Sequence, residues 1–407
     1  MAARRLAGPP RGGAVRVALL HPELGLGGAE RVMLDAATCL RRAGVDVVVF
    51  TTGRDAASFP EAADGSLEVR VTGRPLPRTV LQRLRAACTV ARMAWLSWSA
   101  ARARPRFDLY LCDTAAHAIP LLKRLGDAPV VYYGHYPDRL LAPPDGFAPY
   151  RRALDRLEAR GLAAADRVLV NSRHTAAAFG RAFPALRLEP VVVAPGVDVD
   201  RYAPVPPVDD GGEIVLLTLS RLAPEKRLDL PVRALALLVA RLDPSIASRL
   251  RLVIAGGYDA RLVECVRLAD ELEALAGRLG VAGRVEVVRS PSEAERLALL
   301  IRARCLLHAH EAEPFGLAPL EAMAAARPVV AVSAGGPLET VLDGVTGRLV
   351  PATPEAFAEA LLPLVTDPER ARRIGEAGRA HVAAEHSLER FGARLVSALQ
   401  GLPGARM

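Results

Sequence analysis

Lysine is almost missing from this chain: of 53 basic side chains only Lys123 and Lys226 are lysines, so nearly all the positive charge is arginine. Aromatic residues are scarce as well, at 4% of 407 residues, which leaves little surface on which bases could stack. With no zinc-finger or RNA-binding signature either, nucleic acid is not an expected partner. The five cysteines (Cys39, Cys88, Cys112, Cys265, Cys305) are widely spaced and contain no C-x-x-C pair, which excludes a disulfide scaffold and the common structural-zinc and redox motifs. They read as packed thiols in a reducing compartment. No apolar run reaches the roughly 20 residues of a membrane span. Residues 1–14 are basic and acid-free but lack the apolar core of a secretory signal, so they read as a tail.

What is present is apolar and globular: 51% hydrophobic residues in a chain too long for one core, hence two domains. The net charge of +8 suits an anionic lipid surface or a phosphorylated substrate, although the basic residues are interspersed with acids. Short β-branched runs alternate with Ala/Leu/Arg-rich helical stretches. Strands are expected at 15–20, 46–51, 108–112, 129–133 and 167–171. After a Pro-punctuated linker over 183–212, they resume at 214–219, 250–255, 284–288, 305–308 and 328–332. That alternation predicts an α/β fold with parallel sheets covered by helices, twice over. Ligands of such sheets bind where strand ends lead into helix N-termini, and with two domains a cleft between them is the expected location.

The stretch 79–104 carries both tryptophans. Leu81, Leu84, Cys88, Ala91, Trp95 and Trp98 recur every three or four residues along one side of a helix, read either as a core face or as a surface lying in a membrane interface with flanking arginines.

Three strand-end loops carry candidate chemistry. In HPELGLGGAER (His21 to Arg31), Gly27 and Gly28 permit close backbone approach before a helix that can receive a phosphate, while Glu30 stands where a dinucleotide fingerprint needs a third glycine. In SRLAPEKR, Arg221 and Lys226 straddle a turn and can converge on a diphosphate. In HEAEPFGLAPLEAM, Glu313 precedes a helix and Glu321 lies inside it. Glu321 is suited to ribose hydroxyls and Glu313 to a sugar, with the backbone N–H groups of Phe315, Gly316 and Leu317 adding anion-binding capacity. Paired acids also fit a glycosidase, but hydrolysis gives no reason for two phosphate-suited loops. Asp198-Val199-Asp200 spells D-x-D and His308-Ala309-His310-Glu311 resembles a metal cluster. The first lies in the linker and the second lacks a partner pair, so no metal is expected.

The E-x7-E element Glu313…Glu321, the R-x4-K element Arg221…Lys226 and the GGAER loop together resemble the retaining nucleotide-sugar glycosyltransferases of family 4, whose fold is GT-B, two Rossmann-like domains facing a cleft. HPELGLGGAER, YYGHYPDRLL, VNSRHTAAAF, AGGYD and SAGGPLET narrow the resemblance to the mannosyltransferases that act on dolichol-linked oligosaccharides, over about residues 15 to 390. The resemblance implies GDP-mannose as donor, no cofactor, and transfer of α-1,3 and α-1,6 mannose to Man-GlcNAc2-diphosphodolichol. It also implies a peripheral place on the cytosolic face of the endoplasmic reticulum membrane and partners among the other early mannosyltransferases of N-glycan assembly. It assigns Gly27 and Gly28 to the donor phosphate together with Arg221 and Lys226, Glu321 to the ribose, Glu313 to the mannose, His135 to the reaction centre and Asp138 to the acceptor. The domains are expected at 15–200 for the acceptor and 201–385 for the donor, with 386–407 returning as a helix and tail toward the first. Two other readings stay open: a family 4 transferase with a different lipid-linked acceptor, and a non-catalytic nucleotide-sugar-binding subunit.

Overall fold

The computed structural model describes residues 15–25, 27–54, 62, 64–77, 79–80, 84–141, 148–202, 212–260 and 262–402. The chain divides into two compact units, residues 1–195 with 391–407 and residues 196–390.

The first unit runs β1 (Arg16–Leu20), α1 (Gly28–Arg42), β2 (Asp46–Thr51), β3 (Glu68–Val71), α2 (Arg85–Arg102), β4 (Leu109–Asp113), a 3₁₀ turn (Ala116–Ala118), α3 (Ile119–Leu125), β5 (Val130–Gly134), α4 (Asp138–Leu141), α5 (Ala148–Ala164), β6 (Arg167–Val170), α6 (Arg173–Ala182) and β7 (Val191–Val192). All seven strands are parallel, in the order β3-β2-β1-β4-β5-β6-β7. The chain steps outward from β1 in one direction as far as β3, then crosses over to β4 and continues the other way. β1 and β4 therefore flank a topological switch point, where the loops leaving their carboxyl ends diverge and open a crevice. The centre of the sheet is apolar on both faces: Ala18, Leu20, Val48 and Tyr132 pack on one with Met93, Leu96 and Phe179, and Val17, Leu19, Val49, Leu111 and Val131 are buried on the other.

The second unit repeats the plan with β8 (Ile214–Leu219), α7 (Asp229–Val239), α8 (Pro244–Ala247), β9 (Leu250–Gly256), α9 (Val263–Arg278), β10 (Val285–Arg289), α10 (Glu293–Arg302), β11 (Ala303–His308), α11 (Leu317–Ala324), β12 (Val329–Val332), α12 (Pro337–Thr340), β13 (Gly347–Val350), α13 (Pro354–Thr366) and α14 (Pro368–Glu385). Its strand order β10-β9-β8-β11-β12-β13 places the switch point between β8 and β11. Leu216, Leu235, Ile254, Leu307, Val330 and Phe357 lie in its core. Helix starts are marked chemically: Ser292 and Glu295 close a capping box on α10, and Thr353 and Asp367 cap α13 and α14. The last helix, α15 (Leu388–Leu399), begins in the second unit, and from Phe391 onward the chain belongs to the first.

All ten expected strands are present, and three more, β3, β7 and β13, were not anticipated. Each lies at a sheet edge, where one side has no neighbour and partial exposure removes the need for an apolar run. The five cysteines are free and buried, and burial pushes the Cys112 and Cys305 thiols upward, so they pack without reacting.

Helix α2 corrects the core-face reading of 79–104. Its buried side is Cys88, Arg92, Met93, Leu96, Ser97 and Ala100, whereas Ala91, Trp95 and Trp98 face outward. Leu81 lies outside the described residues. The two indoles stand 5.2 Å apart, each 40% exposed, near the level of exposure of Val80 and Leu84. Arg92, which breaks the apolar run in sequence, is on the buried face: its guanidinium donates to the Pro22 carbonyl, to Glu23 and to Thr52, at 2.8 Å each.

Candidate active site

In the first unit, the three strands beside the switch point end in titratable side chains. His21 follows β1, Asp113 is the last residue of β4, and His135 follows β5. The parallel register that aligns these ends brings them together. Asp113 is fully buried; its two oxygens each lie 2.8 Å from His21 Nδ1, and His135 Nε2 lies 2.9 Å from Oδ2. Burial raises the Asp113 carboxyl, but His21 and His135 outweigh it and hold it down at about 2. Burial depresses His21, while Asp113 more than compensates and leaves it above its ordinary value. An ionised carboxylate only accepts, so each imidazole donates an N–H to it. The neutral form of His135 is thereby fixed as the tautomer with its proton on Nε2 and its lone pair on Nδ1. The ring is one fifth exposed, and Asn171, just beyond β6, donates to the His135 carbonyl at 3.1 Å. Arg92 fixes the other side of the cluster through Pro22, the residue after His21.

Sequence reasoning selected His135 and missed His21 and Asp113. Both were legible as strand-end residues flanking a switch point, a signal that needs the strand order. Asp138, at the start of α4, accepts from Arg151 at 3.0 Å, and its backbone N–H donates to the buried Glu158 at 2.8 Å. The glycine loop before α1 carries an anion of its own: a Cβ on Gly27 would lie 2.3 Å from Glu30 Oε2, so the Glu30 carboxylate stands over Gly27, beside Gly28, at the helix start.

In the second unit the same logic applies at β8 and β11. Lys226, in the loop after β8, donates from Nζ to Glu313 Oε2 at 2.9 Å. His310 Nδ1 lies 3.1 Å from the same oxygen and 3.0 Å from the ammonium, and His308 Nε2 is 3.3 Å from that oxygen. Burial raises the Glu313 carboxyl, but the two histidines and Lys226 reverse that and hold it well below the usual carboxylate range. Glu321, buried inside α11, accepts from Arg296 at 2.8 Å, and the carboxylate raises the guanidinium in turn. Between them lie Phe315, which is buried, and Gly316, whose φ of 94° is the left-handed conformation glycine tolerates best, followed by Leu317 as the first residue of α11. No side chain caps that helix start, so its leading N–H groups face outward from the turn. Arg221 stands apart from Lys226: its side chain is 64% exposed and pairs with Glu225 at 3.3 Å.

These positions bear on two chemical alternatives. A glycosidase needs one carboxyl protonated as an acid. Here Glu313 is held ionised by Lys226 and imidazoles, and Glu321 lies against a guanidinium. The His308–His310 motif is filled by the Lys226 ammonium, which supplies the positive charge against Glu313.

A family model described as glycosyl transferases group 1 matches residues 205–381, and one described as glycosyltransferase family 4 matches residues 26–201. Among curated relatives, the alpha-1,3/1,6-mannosyltransferase ALG2 of Rhizomucor pusillus is 33% identical over 415 residues, spanning 94% of this chain and 90% of that one. The human protein of the same name is 36% identical over 389 residues, spanning 92% of this chain and 93% of its own. Among solved structures, sucrose-phosphate synthase from Thermosynechococcus elongatus superimposes with a TM-score of 0.78 at 22% identity, covering 94% of this chain and 98% of that one. Anabaena HepE in complex with UDP and glucose gives 0.74 at 23%, covering 95% and 100%. At those identities the likeness establishes the fold, which is GT-B.

Proposed function

We propose, for a chain that belongs to the alpha-1,3/1,6-mannosyltransferase ALG2 family, the transfer of mannose from GDP-mannose to a dolichol-diphosphate-linked Man-GlcNAc2 acceptor. Both α-1,3 and α-1,6 linkages form, with retention of configuration. The observation that carries this reading is the match along nine tenths of both chains to relatives named for that activity.

The second unit is the donor side. The nucleotide diphosphate leaving group develops negative charge as the glycosidic bond breaks. The Lys226 ammonium and the uncapped N–H groups at Gly316 and Leu317 supply fixed positive poles for it. Lys226 has three N–H donors and spends one on Glu313, so it reaches a phosphate oxygen without losing its anchor. Arg221, exposed and paired with Glu225, closes on the diphosphate when it arrives. Glu313, ionised and buttressed, orients the mannose hydroxyls and stabilises the oxocarbenium-like sugar; Glu321 keeps lone pairs for the ribose beyond the one given to Arg296. At Gly27 and Gly28 the Glu30 carboxylate stands where a phosphate would bind, so a phosphate takes that place only when Glu30 swings aside.

The first unit is the acceptor side. His135, with its lone pair fixed on Nδ1, contacts the reacting hydroxyl or the sugar, and Asp113 and His21 are positioning residues behind it. No protein nucleophile is required: the departing phosphate oxygen takes the acceptor proton on the same face. Asp138 enters through the loop it anchors, since its carboxylate is engaged with Arg151. No helix among the described residues is long and apolar enough to cross a membrane. The outward Trp95, Trp98, Val80 and Leu84, with Arg85 and Arg102 nearby in sequence, form the surface by which the protein lies peripherally on the cytosolic face of the endoplasmic reticulum membrane.

Incubation with labelled GDP-mannose and a lipid-linked Man-GlcNAc2 acceptor tests the reading. Two sequential additions are expected, and their absence from a folded, donor-binding protein overturns it in favour of a non-catalytic subunit.

A further inference from the structure

We propose that His117, Asp138 and Glu158 form a binding site for one divalent transition-metal ion of the zinc class in the first unit. Each of the three offers a ligand atom, and these atoms all lie within 4.8 Å of one another. The site is built from three separate elements: the 3₁₀ turn after β4, the first residue of α4, and the middle of α5. Gly161, one turn beyond Glu158, makes the approach of α5 to that turn feasible, because a Cβ there would come within 1.9 Å of the Ala116 carbonyl oxygen.

The second, independent observation is His117 itself. It is only 7% exposed, yet neither ring nitrogen has a hydrogen-bond partner. A buried imidazole without partners is costly, and native interiors rarely leave one so. Glu158 is 1% exposed, and its oxygens accept the backbone N–H groups of Asp138 and Arg139 at 2.8 and 3.1 Å, so it is already fixed. Asp138, partly exposed, is the movable ligand. It shares Arg151 with Asp155, which holds the guanidinium at 2.7 Å and keeps it when Asp138 turns inward.

One imidazole nitrogen and two carboxylate oxygens suit zinc, cobalt or manganese, whereas calcium and magnesium take all-oxygen shells. Tetrahedral zinc at about 2.0–2.1 Å per ligand leaves the fourth position for water. The ion would act structurally. His117 lies four residues after Asp113 and Asp138 three after His135, so it would clamp together the two loops that carry the Asp113–His135 pair.

The test uses the full chain stripped with a chelator and titrated with Co²⁺ followed by visible absorption, then with Zn²⁺ by calorimetry. Thermal unfolding is read with and without each metal. The expected result is one ion per chain, a raised Tm, and an affinity that falls at least about 100-fold in Asp138→Asn and in Glu158→Gln, each checked for native circular dichroism. Asp138→Asn is partly exposed and isosteric, so it reports even where changes at the buried residues disturb folding. The proposal is overturned by the lack of stoichiometric binding to the wild-type chain, or by binding that Asp138→Asn leaves unchanged.

Discussion

Replacing Asp113 by asparagine removes one buried charge and keeps the shape of the side chain. In the native network both carboxylate oxygens receive N–H groups from His21 and His135. An amide offers one oxygen and one NH₂, so one of the two imidazoles meets a donor with a donor. The charged state of Asp113 is favoured by the fold: a carboxyl at about 2 against an ordinary 3.8 corresponds to about 2 kcal/mol at neutral pH. A buried N–H left facing another donor costs about 1–3 kcal/mol more, giving a loss of about 3–5 kcal/mol in total. The sign of the pH dependence follows from the depressed value. The carboxylate's contribution is complete above about pH 4 and is lost as pH falls through 2, so the difference between wild type and variant narrows over that window. Both tryptophans lie in the first unit, so urea unfolding followed by tryptophan fluorescence reports that unit without interference from the second. In the transfer assay the proton position on His135 is no longer fixed, and kcat falls about 100-fold or more while the affinity for GDP-mannose is unchanged. A variant within about 0.5 kcal/mol of wild type at pH 7, with unaltered kcat, would refute the assignment of Asp113 as the positioning residue of this site.

Lys226→Ala removes a cation fixed at the β8–β11 switch point and should weaken GDP-mannose binding by at least about tenfold, measured by calorimetry. The exposed Arg221→Ala should cost less alone and add to the first; a double variant with wild-type affinity removes both from the donor site. Gly161→Ala forces α5 away from the Ala116 carbonyl and should destabilise the first unit by about 1–3 kcal/mol in the same fluorescence-monitored unfolding, whereas Gly180→Ala, with nothing near its added methyl, should be neutral or slightly stabilising. Replacing Trp95 and Trp98 together by serine should release the chain from anionic liposomes in a flotation assay without changing its fold. Equal flotation of variant and wild type would move membrane attachment elsewhere.

How far the sequence could lead is set by where burial writes a pattern. Central strands such as Asp46–Thr51 and Ile214–Leu219 are enclosed on both faces and appear as continuous apolar runs with the boundaries the fold gives them. Edge strands such as Glu68–Val71 satisfy one neighbour and carry no such run. The same distinction governs the site. Glu313, Lys226 and His135 stand in short motifs whose members are close in sequence. Asp113 stands 92 residues from His21 and 22 from His135, and becomes meaningful only once the strand order sets β4 beside β1. Arg92 makes the point most sharply. In sequence it interrupts an apolar helix face and argues against burial. In the fold its buried guanidinium is saturated by Pro22, Glu23 and Thr52, and it ties the helix that carries the exposed tryptophans to the residue next to His21. A charge of that kind is costly unless paired, and its partners are 40 to 70 residues away. Residues whose reason for being buried lies that far along the chain are the ones a linear reading passes over, and in this protein they include the ones that surround the His21–Asp113–His135 cluster.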